Sequence, residues 1–400
     1  MNKLLIITTI PDTLRGFLLP LAHHFRFQGW CVDAMAQNVS ACEECLAAFD
    51  QVWDVQWSRN PLDPQNLLLA PRTIQEVIAQ KNYDIIHVHT PVAAFITRYA
   101  LRGLIKQGKP RVIYTAHGFH FYRGGQPLKN ALFLTLEKLA GHWTDYLVVI
   151  NHEDKEAAKH YNIVPPKQIR YMPGIGVDLE YYNFDVTPVA EVMGVYKELG
   201  IAPENPLFLS VAEFIPRKHH QDILRAFACL QRPDAHLALA GDGDQEWTQQ
   251  MQDLASALGI KPQVHFLGFR RDIPTLIQAS IATLLVSEQE GLPRSVMESL
   301  CLETPVIGTN IRGTRDLLAG DCGLLVEVGD IEGIAEAMTW VLDHPKDALA
   351  MAKRGREHMS AYDLQNILEL HEALYSEAIS DPILTPLGTG LWPVYNDSCM

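Results

Sequence analysis

The stretch ATLLVSEQEGLPRSVMESL, Ala282 to Leu300, decides how the chain is read. Its apolar opening predicts a buried strand. Its close predicts a helix with Pro293 in the first turn, where a missing N–H is tolerated. Glu290 falls in the loop between them and Glu298 about two turns into the helix, so the two carboxylates flank a helix N-terminus and do not share a helix face. Such an end presents unpaired N–H groups and partial positive charge, a seat for phosphate. Acids on either side of that seat point to recognition of hydroxyl groups.

The same unit of apolar strand and helix recurs outward in both directions. KLLIITTI, CVDAMA, QVWDVQW, DIIHVHT, RVIYTAH and DYLVVIN occupy the first half; after a polar bridge with PENP at 203–206 come LFLSVAEF, HLALAGDGD, VHFLGF, ATLLVS, PVIGTN and GLLVEV. Near-continuous apolar strands alternating with helices predict parallel sheets covered on both faces. Four hundred residues exceed what one core serves. The expectation is α/β, with two facing doubly wound, Rossmann-like domains over 1–190 and 191–365. A helix at 366–380 would return toward the first domain, and a Gly- and Pro-rich tail at 381–400 would be loosely attached. Ligands of such sheets bind beyond the carboxyl ends of the strands, so two facing sheets set their strand ends across a cleft.

The net charge of −14 is uneven: residues 1–190 hold 18 Lys and Arg against 17 Asp and Glu, and the remainder 15 against 30. This acid excess argues against nucleic acid as a partner. The near-neutral first half is the one suited to approach an anionic membrane surface or a phosphorylated acceptor. Seven cysteines without a paired framework fit a reducing compartment, and CEEC at 42–45 is a single C-x-x-C from which neither zinc nor redox chemistry is expected. MNKLLIITTI is interrupted too soon for a signal peptide or a membrane span and reads as a first strand. The expected location is the cytoplasm, with peripheral contact at the inner face of the cell membrane.

The strand ends of the second half carry the polar residues. Arg217 and Lys218, with the turns bearing Gly241 and Gly243, surround the helix N-terminus as a diphosphate cradle, and the acids, Glu213 among them, are placed to hold hydroxyls. GDGDQE is not a dinucleotide fingerprint, because Glu246 stands where the third glycine belongs. Each glycine taken singly reads more readily as a turn than as a phosphate contact. His87, His89, His117 and His120 lack a carboxylate or cysteine at ligand spacing, so no metal is expected. His117 closes a strand and either faces the cleft or is satisfied in the core.

EGLPRSVME resembles the E-x7-E signature of the retaining glycosyltransferases of family 4. The resemblance extends through FLLPLAHHFRFQGW, DIIHVHTPVAAFITRYA, TAHGFHFYRGGQPLKN, PGIGVDLEYY, HLALAGDGD, VHFLGFRRDIP and TNIRGTRDLL, in the family's order and spacing. It implies the two-domain GT-B fold and, from the exopolysaccharide and capsule branch, transfer of a hexose or N-acetylhexosamine from a UDP-sugar to a lipid-linked saccharide acceptor, with no cofactor. Carried over by position, Glu290 meets the hydroxyls of the donor sugar and Glu298 those of the ribose. The backbone of Gly291, Leu292 and Pro293 lies against the diphosphate, which Lys218 neutralises. Phe269 and Arg270 border the base, His117 faces the transferred sugar, and Gly16 brings a first-domain loop to the donor phosphate. The chain departs from the family at Ala212-Glu213, where many members have Gly-Arg, and in lacking paired glycines in the first loop. Fewer cations are then left for the diphosphate. The alternatives on the same motifs are a UDP-sugar 2-epimerase or phosphorylase, and a catalytically idle nucleotide-sugar-binding partner.

Overall fold

In the computed structural model, which describes residues 1–58, 63–104, 110–122, 124–185 and 187–380, the apolar runs pair side by side into two sheets. The expected tail at 381–400 lies outside the described residues. The first sheet contains β1 (Lys3–Ile7), β2 (Cys31–Ala36), β3 (Gln51–Asp54), β4 (Ile85–His89), β5 (Arg111–Ala116), β6 (Tyr146–Val149) and β7 (Ile169–Tyr171), in the order β3-β2-β1-β4-β5-β6-β7. The second contains β8 (Leu207–Val211), β9 (His236–Ala240), β10 (Val264–Gly268), β11 (Ala282–Leu285), β12 (Val306–Thr309) and β13 (Leu324–Val326), in the order β10-β9-β8-β11-β12-β13. Every pairing is parallel. The order reverses between β1 and β4 and between β8 and β11, which opens a crevice at each place. β7 was not among the expected strands: three half-buried residues at a sheet edge give almost no apolar run.

Strands covered on both faces carry no solvent alternation, and every residue of β4 and β5 is buried. The helix after β11 runs Arg294–Cys301 with Pro293 as its N-cap in extended backbone, one position earlier than a first-turn proline. The closing helix, Leu364–Ser380, crosses back to the first sheet, where Leu374, Tyr375 and Ala378 join one core with Leu4, Ile6 and Phe25. There His87 is bracketed by two hydroxyls, with Nδ1 2.6 Å from that of Tyr375 and Nε2 2.7 Å from that of Thr115. His87 and His89 sit two residues apart on one face of β4, their ring centroids separated by 4.2 Å, and His371 of the closing helix lies beside them.

The two sheets are joined at Arg312, in the loop after β12. Its Nη1 donates to Asp154 Oδ1 at 2.7 Å and to the Phe121 carbonyl at 3.3 Å, Nη2 donates to the Phe119 carbonyl, and Nε donates to the Glu290 carbonyl at 3.1 Å. Both charged side chains are almost wholly enclosed, at 3% and 1% exposure, so solvent does not weaken the pair. Asp154 is the third residue of the helix His152–His160, whose cap Asn151 accepts from the Asp154 N–H at 2.7 Å. The Asn151 Nδ2 also reaches the Gly291 carbonyl at 3.2 Å. Side-chain-free positions allow the backbones to meet here. A Cβ on Gly291 would lie 2.0 Å from the His117 carbonyl oxygen, and one on Gly313 2.1 Å from that of Gly291.

Two outcomes follow for stability. Arg312→Met leaves Asp154 buried without its cation and should cost about 3–5 kcal/mol in chemical unfolding, whereas the double variant with Asp154→Asn should cost less than the two single losses added. The second outcome concerns pH. Burial holds His87 and His89 well below the usual histidine range, and lowers His117 and His371 to about 4. Unfolded histidines titrate at about 6.5, so below that the unfolded chain binds more protons than the folded one. Stability is complete above about pH 6.5 and is lost as pH falls toward 4. Melting temperatures measured between about pH 7 and 5 should fall, and less steeply for His371→Leu.

Candidate active site

Polar residues converge where the carboxyl ends of β8 and β11 face those of β4 and β5. Lys218 ends the turn Pro216–Lys218 that follows β8, and His219, in left-handed backbone at φ +54°, swings the chain into the next helix. The Lys218 Nζ donates to Glu290 Oε1 at 2.5 Å, with both side chains largely shielded from solvent. Its neighbour Arg217 is exposed, and its carbonyl accepts from the Glu288 N–H. The two adjacent cations therefore have different surroundings, and Lys218 is the one beside Glu290.

Glu290 lies in the loop four residues before the helix Arg294–Cys301, and Glu298 is the fifth residue of that helix. Glu298 is buried, and its Oε1 accepts from the Tyr182 hydroxyl at 2.6 Å and from Arg294 Nε at 2.8 Å. Burial raises its pKa, while the Arg294 guanidinium opposes the rise. Arg294 Nη1 also donates to the Gly16 carbonyl at 2.5 Å; Gly16 lies in the helical segment Leu14–Leu18 and not in a loop as expected, so it is a helical turn after β1 that is tied to the helix carrying Glu298. A Cβ on Gly16 would meet nothing within 4 Å, so no close approach within the chain demands glycine there.

Glu213, Gly241, Gly243, Phe269 and Arg270 line one open cavity of about 550 Å³ at the ends of β8, β9 and β10. Phe269 presents its ring to solvent at 66% exposure, a flat apolar surface with the Arg271 guanidinium 5.9 Å from its centroid. Arg270 is already paired, to Asp272 at 2.7 Å and to Glu198 at 2.5 Å, so it shapes the wall without offering an unpaired charge. The two glycines have a structural reason of their own: a Cβ on Gly241 would strike the Ala212 carbonyl at 1.9 Å, and one on Gly243 that of Phe214 at 2.5 Å. Leu292 packs its side chain onto the Gly174 turn of the first half. The Cα of Gly291 backs onto His117 and Gly118, so that contact occupies one side of the Gly291–Pro293 segment.

His117 closes β5 at the cleft, with Nε2 2.9 Å from His89 Nδ1. With its pKa lowered to about 4 by burial and, less, by His371, it is a neutral imidazole near pH 7. The other nitrogen of His89, Nε2, is buried without a partner.

Sequence reasoning passed over Arg312, Asp154, Asn151, Arg294 and Tyr182. TNIRGTRDLL reads from sequence only as part of the family pattern, yet the first of its two arginines is the buried joint. The signal for Asp154 was the N-x-x-D pattern closing β6, a helix cap followed by an acid. Among the described residues, one group with metal-ligand spacing, Cys31, Asp33 and Asp50, gathers near the start of β2, at the end of the sheet away from the cleft. Its carboxylates already accept from Tyr83, from Arg26 and from the Val32 N–H. Cys42 and Cys45 lie with sulfurs 2.9 Å apart, and Cys42 caps the helix Glu43–Ala48.

Residues 18–181 match the family described as Glycosyltransferase Family 4, and residues 196–358 the one described as Glycosyl transferases group 1. EpsD of Bacillus subtilis, named as a glycosyltransferase, is 32% identical over 379 residues, covering 94% of this chain and 96% of its own. An Escherichia coli UDP-Gal:alpha-D-GlcNAc-diphosphoundecaprenol alpha-1,3-galactosyltransferase is 29% identical, covering 68% of this chain and 69% of its own. Among solved structures, Anabaena HepE in complex with UDP superposes with a TM-score of 0.76 at 18% identity, over 94% of this chain and 100% of that one. The glycosyltransferase WaaG, involved in lipopolysaccharide biosynthesis, gives 0.72 at 18% identity, over 93% and 99%. At these identities the structural likeness concerns the fold. With the two-sheet GT-B architecture, both halves of the family pattern and a relative matched along nearly its whole length, the chain belongs to the family 4 glycosyltransferases.

Proposed function

We propose that this glycosyltransferase moves a hexose or N-acetylhexosamine from a UDP-sugar to a lipid-linked saccharide acceptor, in exopolysaccharide or capsule assembly, with retention of anomeric configuration. The observation that carries the reading is the Lys218–Glu290 pair set at the N-terminal end of the Arg294 helix, with His117 across the cleft. One cation and one carboxylate beside a helix N-terminus support a phosphate seat there. The acceptor class is supported by the diphosphoundecaprenol-linked substrate named for the E. coli relative. In this reading residues 191–365 hold the donor and residues 1–190 face the acceptor.

The uracil would stack at Phe269 in the cavity walled by Glu213, Gly241, Gly243 and Arg270, and the ribose would reach Glu298. Lys218 and the helix N-terminus would meet the diphosphate, and Glu290 the sugar hydroxyls, so the ion pair between them opens to receive the donor. As the glycosidic bond breaks, negative charge grows on the leaving phosphate, and these fixed positive ends stabilise it where a divalent ion would serve elsewhere. Asp154 is unsuited to act as a nucleophile: Oδ1 holds Arg312, and Oδ2 accepts from Asn151 Nδ2 and the Phe119 N–H. Attack by the acceptor on the face the phosphate is leaving, guided by that phosphate, is the route this arrangement favours. Neutral His117 would hydrogen-bond the sugar and would not act as a charged acid.

Incubation with a panel of UDP-sugars and a lipid-linked acceptor, with products read by mass spectrometry, tests the assignment; binding or isomerisation without transfer would overturn it. Glu290→Gln should lower kcat far more than Glu298→Gln, which should mainly raise the donor KM. Lys218→Ala should lose roughly a hundredfold in both kcat and kcat/KM, the scale of removing one preorganised donor to a developing anion, while exposed Arg217→Ala costs much less. A dead Arg217→Ala beside an active Lys218→Ala would shift the phosphate seat by one residue. Turnover should persist in excess EDTA, and NMR of the product should show the donor's anomeric configuration; restoration by magnesium after EDTA, or an inverted product, would defeat the mechanism.

A further inference from the structure

Cys42 and Cys45 lie in the connection that leaves the carboxyl end of β2. Their sulfurs are 2.9 Å apart, and Cys42, the cap of the helix Glu43–Ala48, accepts from the Cys45 N–H at 3.4 Å. Two cysteines can be bridged only where their side chains converge, and these do. Capping accounts for the place of Cys42 alone. Cys42 is partly exposed while Cys45 is buried, so one sulfur meets solvent and the other waits directly behind it.

The pair is joined to the helical turn Leu14–Leu18 that carries Gly16. Cys45 shares a core with Leu14 and Leu18, which bound that turn, and Glu44, between the two cysteines, has Oε1 3.8 Å from Arg15 Nη1. The Gly16 carbonyl in turn accepts from Arg294, on the helix that bears Glu298. The second half of the chain reaches the same acid. The Glu44 carboxyl is held below the usual range by its own backbone N–H first, and further by the Cys42 thiol, Arg15 and Arg271. Arg271 stands beside the Phe269 ring, which lines the cavity of about 550 Å³. The two cysteines therefore flank an acid that faces both sides of the cleft.

We infer that Cys42 and Cys45 are a redox-active dithiol that closes to a disulfide by exchange with a small disulfide and, in closing, weakens the hold of the cleft on a nucleoside diphosphate. In the first step the Cys42 thiolate attacks the small disulfide R–S–S–R, which leaves a mixed disulfide on Cys42 and releases one thiolate. In the second, Cys45 gives up its proton and its sulfur attacks that of Cys42, releasing the other thiolate. The two cysteines lose two electrons, the small disulfide gains them, and the two thiol protons end on two molecules of R–SH. Burial, and then the neighbouring Cys42, push Cys45 up to about 12, so the first attack belongs to Cys42. The new bond draws the sulfurs from 2.9 Å to about 2.05 Å and turns Cys45 in its seat beside Leu14 and Leu18, which loosens the Gly16 carbonyl from Arg294. Glu43 and Glu44 repel anionic disulfides, so a neutral one exchanges faster. The coupling, unlike the dithiol itself, rests on the reading of the Phe269 cavity as the seat of the nucleotide.

The purified full-length protein is reduced and then treated with hydroxyethyl disulfide, the remaining thiols are capped with iodoacetamide, and the cysteines are located by peptide mass spectrometry. A disulfide between Cys42 and Cys45 that dithiothreitol reverses is expected. Cys45→Ala should stop at the mixed disulfide on Cys42, and Cys42→Ser, which keeps an oxygen as the helix cap and should melt unchanged, should leave Cys45 reduced. Calorimetry with UDP should give a Kd about fivefold or more higher for the oxidised protein than for the reduced one, with no difference after the same treatment of Cys42→Ser. Two unreacted thiols at 42 and 45, or their pairing with other cysteines, overturn the dithiol, and a closed disulfide that leaves the UDP affinity unchanged overturns the coupling. Absence of UDP binding in both forms would remove the nucleotide reading and the coupling with it, while the mass of the peptide holding both cysteines still decides the dithiol.

Discussion

A single buried guanidinium organises this molecule. Arg312 has donors in a planar fork, and a group of that kind is tolerated in the interior only when its charge is matched and its N–H groups are met together. The partners come from different places: Asp154 from the helix after β6, the Phe119 and Phe121 carbonyls from the loop after β5, and the Glu290 carbonyl from the loop after β11. Satisfying one side chain fixes two strand-end loops and the first turn of a helix at once. His117 and Glu290 belong to two of them, so the cleft is held by a residue that need not touch a substrate.

The glycines make that arrangement possible. A guanidinium reaches a few ångströms from its Cβ, so the backbones it bridges must already be close, and Gly291 and Gly313 let the chains approach without a side chain between them. Gly118, at φ +111° with its would-be Cβ 3.0 Å from the Gly291 Cα, is the matching piece on the first half. Polar and steric requirements converge on the same few residues, which leaves the sheets little freedom to pack in another register.

What the sequence makes legible is local. Six strands of each half read as apolar runs because both faces are covered, and the Glu290 and Glu298 positions follow from a loop and a helix a few residues long. Lys218 could be preferred to Arg217 by position in the family pattern, and the structure gives the preference a physical form: one side chain faces Glu290 and the other faces solvent. β7 escapes because three edge residues carry no period. Arg312 and Asp154 escape for a different reason: they are 158 positions apart, and nothing in either neighbourhood announces that the two will be buried together. Gly241 and Gly243 read as a phosphate turn, whereas close backbone contact accounts for both without a ligand.

The closing helix sets the order in which the chain can be built. Leu374, Tyr375 and Ala378 complete the core around Leu4 and Phe25, and the Tyr375 hydroxyl meets a buried histidine 288 residues earlier. At roughly 5–20 residues per second, β7 leaves the ribosome on the order of tens of seconds before that helix does. During this interval the first sheet has its strands but lacks one helix of its cover, and part of one apolar face stays open to other nascent chains and to chaperones. Residues 364–380 thus act as the last stitch of the first domain, although they are translated after the whole of the second. A chain halted before them would not be a shortened enzyme; it would be an unfinished sheet.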